Sequence, residues 1–254
     1  MKSLQAFLDH LAHERRLSSN TITAYRRDLE AFAAELQRIE VTDPAKVNEH
    51  QVRALIARRH RQGLGPRSIQ RLLSSIRSFY RYLMREGLAG GNPAAAVKAP
   101  KAPKKLPQTL DTDAVARLLD FEANTPLAIR DKAIMELFYS SGLRLSELAG
   151  LRWDELDLAS GMLRVTGKGN KTRMVPIGSV AAKALVEWRR VRGNFAGFEQ
   201  PCIFVSSRGN PISVRTIKSS MRYWARTQGL PQQVHPHLLR HSCASPMLDS
   251  SGDL

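Results

Sequence analysis

One stretch constrains this chain more than any other: "GGNPAAAVKAPKAPKKLPQTL", residues 90–110. Its four prolines fix φ and remove backbone donors, so neither a continuous helix nor a central strand can run through it. Its four lysines keep it solvated. It reads as an extended, basic linker joining an N-terminal domain, 1–89, to a C-terminal domain, 111–254. Such a linker can lie along a phosphate backbone, with Lys104 and Lys105 as candidate contacts. An ordinary solvated spacer has the same composition.

Before the linker the apolar periodicity is helical. Leu4, Phe7, Leu8 and Leu11 recur behind Ser3, an expected N-cap. "SSNTITAYRRDLEAFAAELQRI" places Tyr25, Leu29, Phe32 and Leu36 on one stripe. A third helix is expected from Glu49 to Arg61. A fourth opens at Pro66 and closes at Gly87, the proline-first, glycine-last asymmetry of helix ends. Its apolar face is Ile69, Leu72, Leu73, Ile76, Phe79 and Leu83. Four amphipathic helices with short connections make a small bundle.

After the linker the pattern is mixed. "TPLAIRDKAIMELFYSSG" is a helix with Pro126 at its start and Gly142 just past its end, and "LRLSELAGL" resumes helical character. "GMLRVTGKGNKTRMVPIG" alternates around a Gly-Asn turn, the pattern of a β-hairpin. Helices around Val180–Arg192 and Val214–Gln228 flank an expected short strand, "CIFVSS". The chain turns helical again from about Pro236.

Charge bounds the partner. Lys and Arg number 39 against 23 Asp and Glu, a formal net charge of +16. Residues 1–100 carry 17 basic against 9 acidic residues and the remainder 22 against 14, so each part holds +8. An excess shared by two folded halves, rather than concentrated in a tail, favours an extended polyanion gripped from two sides, most simply duplex DNA or RNA. A basic protein kept soluble by its charge is the plainer reading. Arg71 and Arg77 on the fourth helix are candidate groove or backbone contacts, with a solvated helix face as the alternative. The two cysteines are too few for a disulfide framework, and no Cys-x-x-Cys suggests zinc. "MKSLQAFLDHLAHERRL" has no uninterrupted apolar core like that of a secretory signal, and no stretch approaches 18 apolar residues. A cytoplasmic location is expected.

Three short motifs carry chemistry. Arg144, just after a glycine break and at the start of a helix, can present a planar guanidinium to two oxygens of one phosphate. Glu147 is three residues on, on the same face, and can orient it. Lys168 stands at the hairpin tip between glycines. The spacing is not that of a P-loop, but a lysine there can enter a DNA groove and donate a proton to a departing hydroxyl. Lys171 and Arg173 of the same hairpin are candidate DNA contacts. In "HPHLLRHS", His237 and His241 have the spacing of a helical metal pair, but no third ligand shares their face, and no metal is expected. His237 and Arg240 share a face too, one a titratable donor and the other a fixed charge, which suits phosphate.

"SGLRLSEL", "GKGNKTR" and "HPHLLRHS", in this order, resemble the catalytic motifs of the tyrosine site-specific recombinases, the phage integrase family. The resemblance covers essentially the whole chain. "SLQAFLDHLAHERRLSSNTITAYRRDL", "LSSIRSFYRYL" and "LPQTLD" are similar to the XerC type within it. The resemblance implies a mainly α fold: a four-helix core-binding (SAM-like) domain, then an α-rich catalytic domain with a small antiparallel β-sheet. It implies phosphodiester transesterification through a 3′-phosphotyrosyl intermediate on a short two-armed duplex DNA site, with no cofactor. A XerD-like recombinase is the implied partner, in a heterotetramer that resolves chromosome dimers. By the same resemblance Arg144 and Arg240 bind the scissile phosphate, Lys168 protonates the leaving 5′-hydroxyl and His237 assists proton transfer.

Two departures qualify the resemblance. The family pattern requires a further His or Trp and then the nucleophilic tyrosine after the Arg240 motif. The tyrosines here are Tyr25, Tyr80, Tyr82, Tyr139 and Tyr223, with none following Arg240. Pro246 falls where the family continues a helix, and an internal proline costs about 3 kcal/mol or more. The expectation is a C-terminally shortened recombinase that binds DNA without cleaving it. A mobile-element integrase and a non-catalytic DNA-binding regulator are the alternatives. The former shares every motif, and the latter leaves the clamp residues without a use.

Overall fold

The computed structural model describes residues 2–15, 17–101, 110–167, 171–230, 234–236, 238–240 and 242. The chain forms two compact units, Met1–Lys105 and Leu106–Leu254. Each has its own hydrophobic core. No described helix is long and apolar enough to cross a membrane.

The first unit holds α1 (Lys2–His13), α2 (Ser19–Arg38), α3 (Glu49–Arg61) and α4 (Pro66–Arg85). Local chemistry sets their starts. The Ser18 side chain accepts from the Thr21 backbone N–H at the head of α2. Asn48 and Gln51 form a reciprocal capping box at the head of α3, which satisfies two otherwise orphaned donors. Pro66 occupies the first turn of α4, where a missing N–H is harmless. Ser3, expected as a cap, lies inside α1 instead, because that helix already runs at Lys2. The apolar stripes meet in one core that includes Phe7, Phe32, Leu55, Ile69, Ile76 and Phe79, with Phe7 and Phe79 edge-on at 5.4 Å.

Charged fasteners sit around this core. Asp28 accepts two bonds from Arg71, at 2.8 and 3.1 Å, and Glu35 is bound by Arg38 and Arg58. Arg77 donates to the carbonyls of Ala94 and Val97, both buried. The first part of residues 90–110 thus packs on α4, where apolar Ala94 and Val97 find a core to enter.

The second unit holds α5 (Thr112–Leu119), α6 (Pro126–Ser141), α7 (Leu145–Gly150), α8 (Ser179–Arg192) and α9 (Val214–Thr227). A three-stranded antiparallel sheet joins them: β1 (Leu156–Asp157), β2 (Met162–Thr166) and β3 (Thr172–Pro176), in that spatial order. In the β2–β3 register Leu163 faces Val175 and Val165 faces Arg173. Leu163, Val165 and Val175 are buried. Buried α6 is the central helix, and its Asp131 carboxylate binds Arg130 on one oxygen and the indole of Trp224, from α9, on the other. Trp224 stacks on Phe121 at 3.7 Å, fixing α9 to the α5–α6 connection.

"CIFVSS" is not a strand. Cys202 and Val205 make only single bridges, to Arg152 and Pro211. The backbone of this stretch is claimed by α8: Trp188 donates its indole N–H to the Ile203 carbonyl. Arg192, only 6% exposed, donates to the carbonyls of Ala196, Gly197, Gln200, Cys202 and Ile203. One buried guanidinium therefore does what a neighbouring strand would otherwise do.

Replacing Arg192 with Met leaves several carbonyls without donors. Stability to urea is expected to fall by about 3 kcal/mol. Amide exchange across residues 196–203 should quicken more than in the β2–β3 pair; equal protection in both variants would show that the loop holds itself.

Candidate functional site

The site begins where α6 ends. Gly142 takes the left-handed conformation, φ 54°, and its N–H caps the Phe138 carbonyl. That break turns the chain so that Leu143 drops into the core and Arg144 stands extended at the head of α7. Glu147 then reaches back. One carboxylate oxygen accepts from the Arg144 backbone N–H at 2.7 Å, and the other accepts from Arg144 Nη1 at 3.0 Å.

Glu147 has a second arginine. Arg173, on β3, donates Nη1 and Nη2 to the two carboxylate oxygens at 3.0 and 2.9 Å, a bidentate fork. The Glu147 side chain is 5% exposed, whereas that of Arg144 is 59% exposed. Burial pushes the carboxyl pKa up, but the bonds from Arg173 and from the backbone and side chain of Arg144 outweigh it, leaving Glu147 at about 2. The carboxylate is charged at any working pH. Arg144 is thereby held at one nitrogen, while its Nε and Nη2 take no hydrogen bond among the described residues. Two cations against one anion leave the cluster net positive.

The hairpin meets this cluster. A side-chain carbon placed on Gly167 would stand 3.5 Å from Arg173 Nη1 and 3.6 Å from Glu147 Oε1, so the hairpin mouth lies directly against the ion pair. Gly167 donates its N–H to the Lys171 carbonyl at 2.8 Å, and Lys171 is exposed. Lys168 lies outside the described residues, as do His237, Lys104 and Lys105.

Arg240 belongs to a short helical segment, residues 238–240. Leu238 and Leu239 are buried in the same core as Leu143 and Leu148. The ring of His235 accepts from the Leu238 N–H, and Ser242 Oγ both donates to the Leu238 carbonyl and accepts from the Leu110 N–H. On this anchored base Arg240 Nη1 is buried with no hydrogen-bond partner, the one such side-chain atom among the described residues. An unsatisfied buried donor costs about 1–3 kcal/mol, more when charged, so this nitrogen favours an acceptor.

The remaining sequence candidates fall elsewhere. Arg71 is taken by Asp28 and Arg77 by two carbonyls, both within the first unit. Arg173 is taken by Glu147, which makes its guanidinium an orienting group for Arg144's partner. Sequence reading overlooks α9. Arg215, Lys218, Arg222 and Arg226 are exposed along it, spaced three, four and four residues apart, and the helix contains no Asp or Glu. That spacing keeps all four on one stripe about 16 Å long, on the face adjoining buried Ile217, Met221 and Ala225. The signal is legible in the sequence once the apolar face is drawn. Tyr223, which sequence reading takes as structural, is exposed beside this stripe.

Comparison with known proteins gives the family and the fold. The model described as "Phage integrase family" matches residues 108–254, and that of "Phage integrase, N-terminal SAM-like domain" matches residues 4–87. The chain belongs to the phage integrase family. It is 47% identical over 254 residues to Tyrosine recombinase XerC of Xanthomonas campestris pv. campestris (strain B100), covering 100% of this chain and 78% of that protein. With Tyrosine recombinase XerC of Xylella fastidiosa (strain M23) the identity is 46% over 251 residues, 99% of this chain and 84% of that one. Among solved structures, a lambda integrase(75-356) dimer bound to a COC′ core site superposes with a TM-score of 0.77 at 20% identity, covering 98% of this chain and 86% of that one. The fold is that of the phage integrases, mainly α with a small antiparallel sheet and an N-terminal SAM-like domain.

In this phage integrase site Glu147 ties Arg144 to the hairpin, and pH tests it. Its folded pKa lies below the ordinary 4.5, so its stabilising contribution is complete above pH 4.5 and is lost as pH falls from there through about 2. Glu147→Gln should lower stability at neutral pH by about 2 kcal/mol and flatten the acid leg of a plot of melting temperature against pH. An acid leg unchanged by the substitution would mean that other carboxylates carry it.

Proposed function

We propose that this chain performs the DNA-binding and phosphate-clamping part of tyrosine recombinase chemistry on a short two-armed duplex site. The observation that carries this reading is the buried, unpartnered Nη1 of Arg240. A half-exposed guanidinium on an anchored helical segment, with one buried donor left open, suits an anionic oxygen. Arg144 offers a second such fork with two uncommitted nitrogens. When a tyrosine oxygen attacks phosphorus, charge builds on the equatorial oxygens, and donors already in position stabilise it without reorganising. Lys168 and His237 complete the set by resemblance, the lysine giving a proton to the leaving 5′-hydroxyl and the histidine assisting at the phosphate. The resulting 3′-phosphotyrosyl bond conserves the energy of the phosphodiester, so rejoining needs neither ATP nor metal.

The α9 stripe, with Lys171 on the hairpin, would follow the duplex backbone. Phosphate contacts set register and give affinity, and base contacts add specificity. The likeness to XerC proteins favours chromosome-dimer resolution with a XerD-like partner in the cytoplasm. The stretch from Trp224 to Leu254 contains no tyrosine, and we propose that a polypeptide of these 254 residues binds such a site without cleaving it.

A labelled nicked duplex carrying a XerC-type site tests both parts. A shifted band on a native gel, with no covalent band on a denaturing gel, is expected; a denaturing-stable adduct would overturn the second part. Arg240→Ala should weaken binding to site DNA by about 2 kcal/mol. Arg222→Ala should weaken binding to all sequences alike and reduce the slope of log affinity against log salt by about 1. If neither substitution changes affinity, the clamp and the stripe do not face DNA.

A further inference from the structure

In the second unit, a cleft of about 420 Å³ is bordered by elements that carry none of the clamp residues: the Trp153–Glu155 turn, the end of α8 and residues 193–201. Trp153, Arg189, Arg190, Arg192, Phe198 and Gln200 are among the residues lining it, and no lining residue is acidic. Phe198 is fully exposed. Leaving a phenylalanine in water forgoes about 1.5–3 kcal/mol of burial, and here the loop has no freedom to hide it. Arg192 holds the carbonyls of Ala196, Gly197 and Gln200 on both sides of the ring's attachment. The ring is presented on a fixed frame.

The charges around it are uneven. Arg190 is paired with Glu187 at 2.7 Å, and the Glu199 side chain folds back against Gly197. Arg189 has no carboxylate partner among the described residues and lies over the Trp153 ring, 5.2 Å from its centroid. One uncompensated cation is not the row that a phosphate backbone needs, which weighs against nucleic acid. Exposed aromatic rings beside arginine are instead the composition of protein-interface hot spots.

We propose that this cleft docks an acidic peptide segment of a protein partner, an apolar side chain entering beside Phe198 and a carboxylate meeting Arg189. The proposal is independent of the clamp reading.

Its test is fluorescence anisotropy with a labelled decapeptide carrying one Phe among Asp and Glu residues, alongside versions with Lys for each acid and with Ala for Phe. The acidic, Phe-containing peptide should bind best. Phe198→Ala and Arg189→Glu should each weaken it by about tenfold or more. Because Phe198 buries nothing, its substitution should leave the melting temperature and the affinity for site DNA unchanged. Peptide binding that is indifferent to both substitutions, or equal for acidic and basic peptides, would overturn the proposal. So would a loss of DNA affinity in Phe198→Ala, which would give the surface to nucleic acid. Sedimentation showing that Phe198→Ala dissolves a dimer would give it to a second copy of this chain, and would overturn the proposal equally.

Discussion

The Glu147 carboxylate is the constraint on which the site depends. Two arginines from different elements, Arg144 ahead of α7 and Arg173 on β3, converge on it. Without the anion between them they would repel, and neither the α7 head nor the hairpin mouth would have a fixed position. The fork depends in turn on strand register. Arg173 and Val175 share a face of β3, and Val175 is buried, so a slip of one residue would turn Arg173 away from Glu147 and expose the valine. Core packing thus enforces the electrostatics, and the electrostatics aims Arg144 outward with nitrogens to spare.

Net charge alone would misread this molecule. Many of its arginines already have acceptors inside the fold: Arg71 pairs with Asp28, Arg58 and Arg38 share Glu35, Arg130 pairs with Asp131, and Arg192 binds backbone carbonyls. These are fasteners, and a guanidinium suits the task because its rigid fork satisfies several acceptors at once. The cations of α9 differ in kind. They sit on an exposed stripe with no acidic residue in the helix, the arrangement that a phosphate backbone can use.

The same distinction explains what is legible in the sequence. Helices show through because their signals are local: Pro66, Asn48 and Thr125 announce starts, Gly142 a stop, and the apolar period names the buried face. The hairpin shows through by alternation. "CIFVSS" misleads because its β-branched and aromatic residues look like a strand, yet its acceptors are met by side chains of α8 some ten residues earlier, a pairing no local pattern encodes. The intramolecular acceptors of Arg71 and Arg77 are hidden from the sequence for a similar reason: they lie 43 and 17–20 residues away. Arg144 and Glu147 are readable because partner and target are three residues apart. Arg173 joins them only through a tertiary contact, so its orienting role needs the fold.

Arg240 reverses the logic of the fasteners, and this makes it informative. Leu238, Leu239 and Ser242 are all committed to the interior, so the backbone beneath Arg240 is held in place. A protein that needed only stability would have filled that position with an apolar residue or given the guanidinium a carboxylate, as it did for Arg71 and Arg130. Keeping a buried donor open instead is a standing loss of stability, and such losses persist where a ligand completes the bond. Arg144, held by one nitrogen with the others free, is the exposed counterpart of the same arrangement. Two arginines, each on a backbone fixed by the fold and each left partly unsatisfied, are the donors that the proposed phosphate clamp would use.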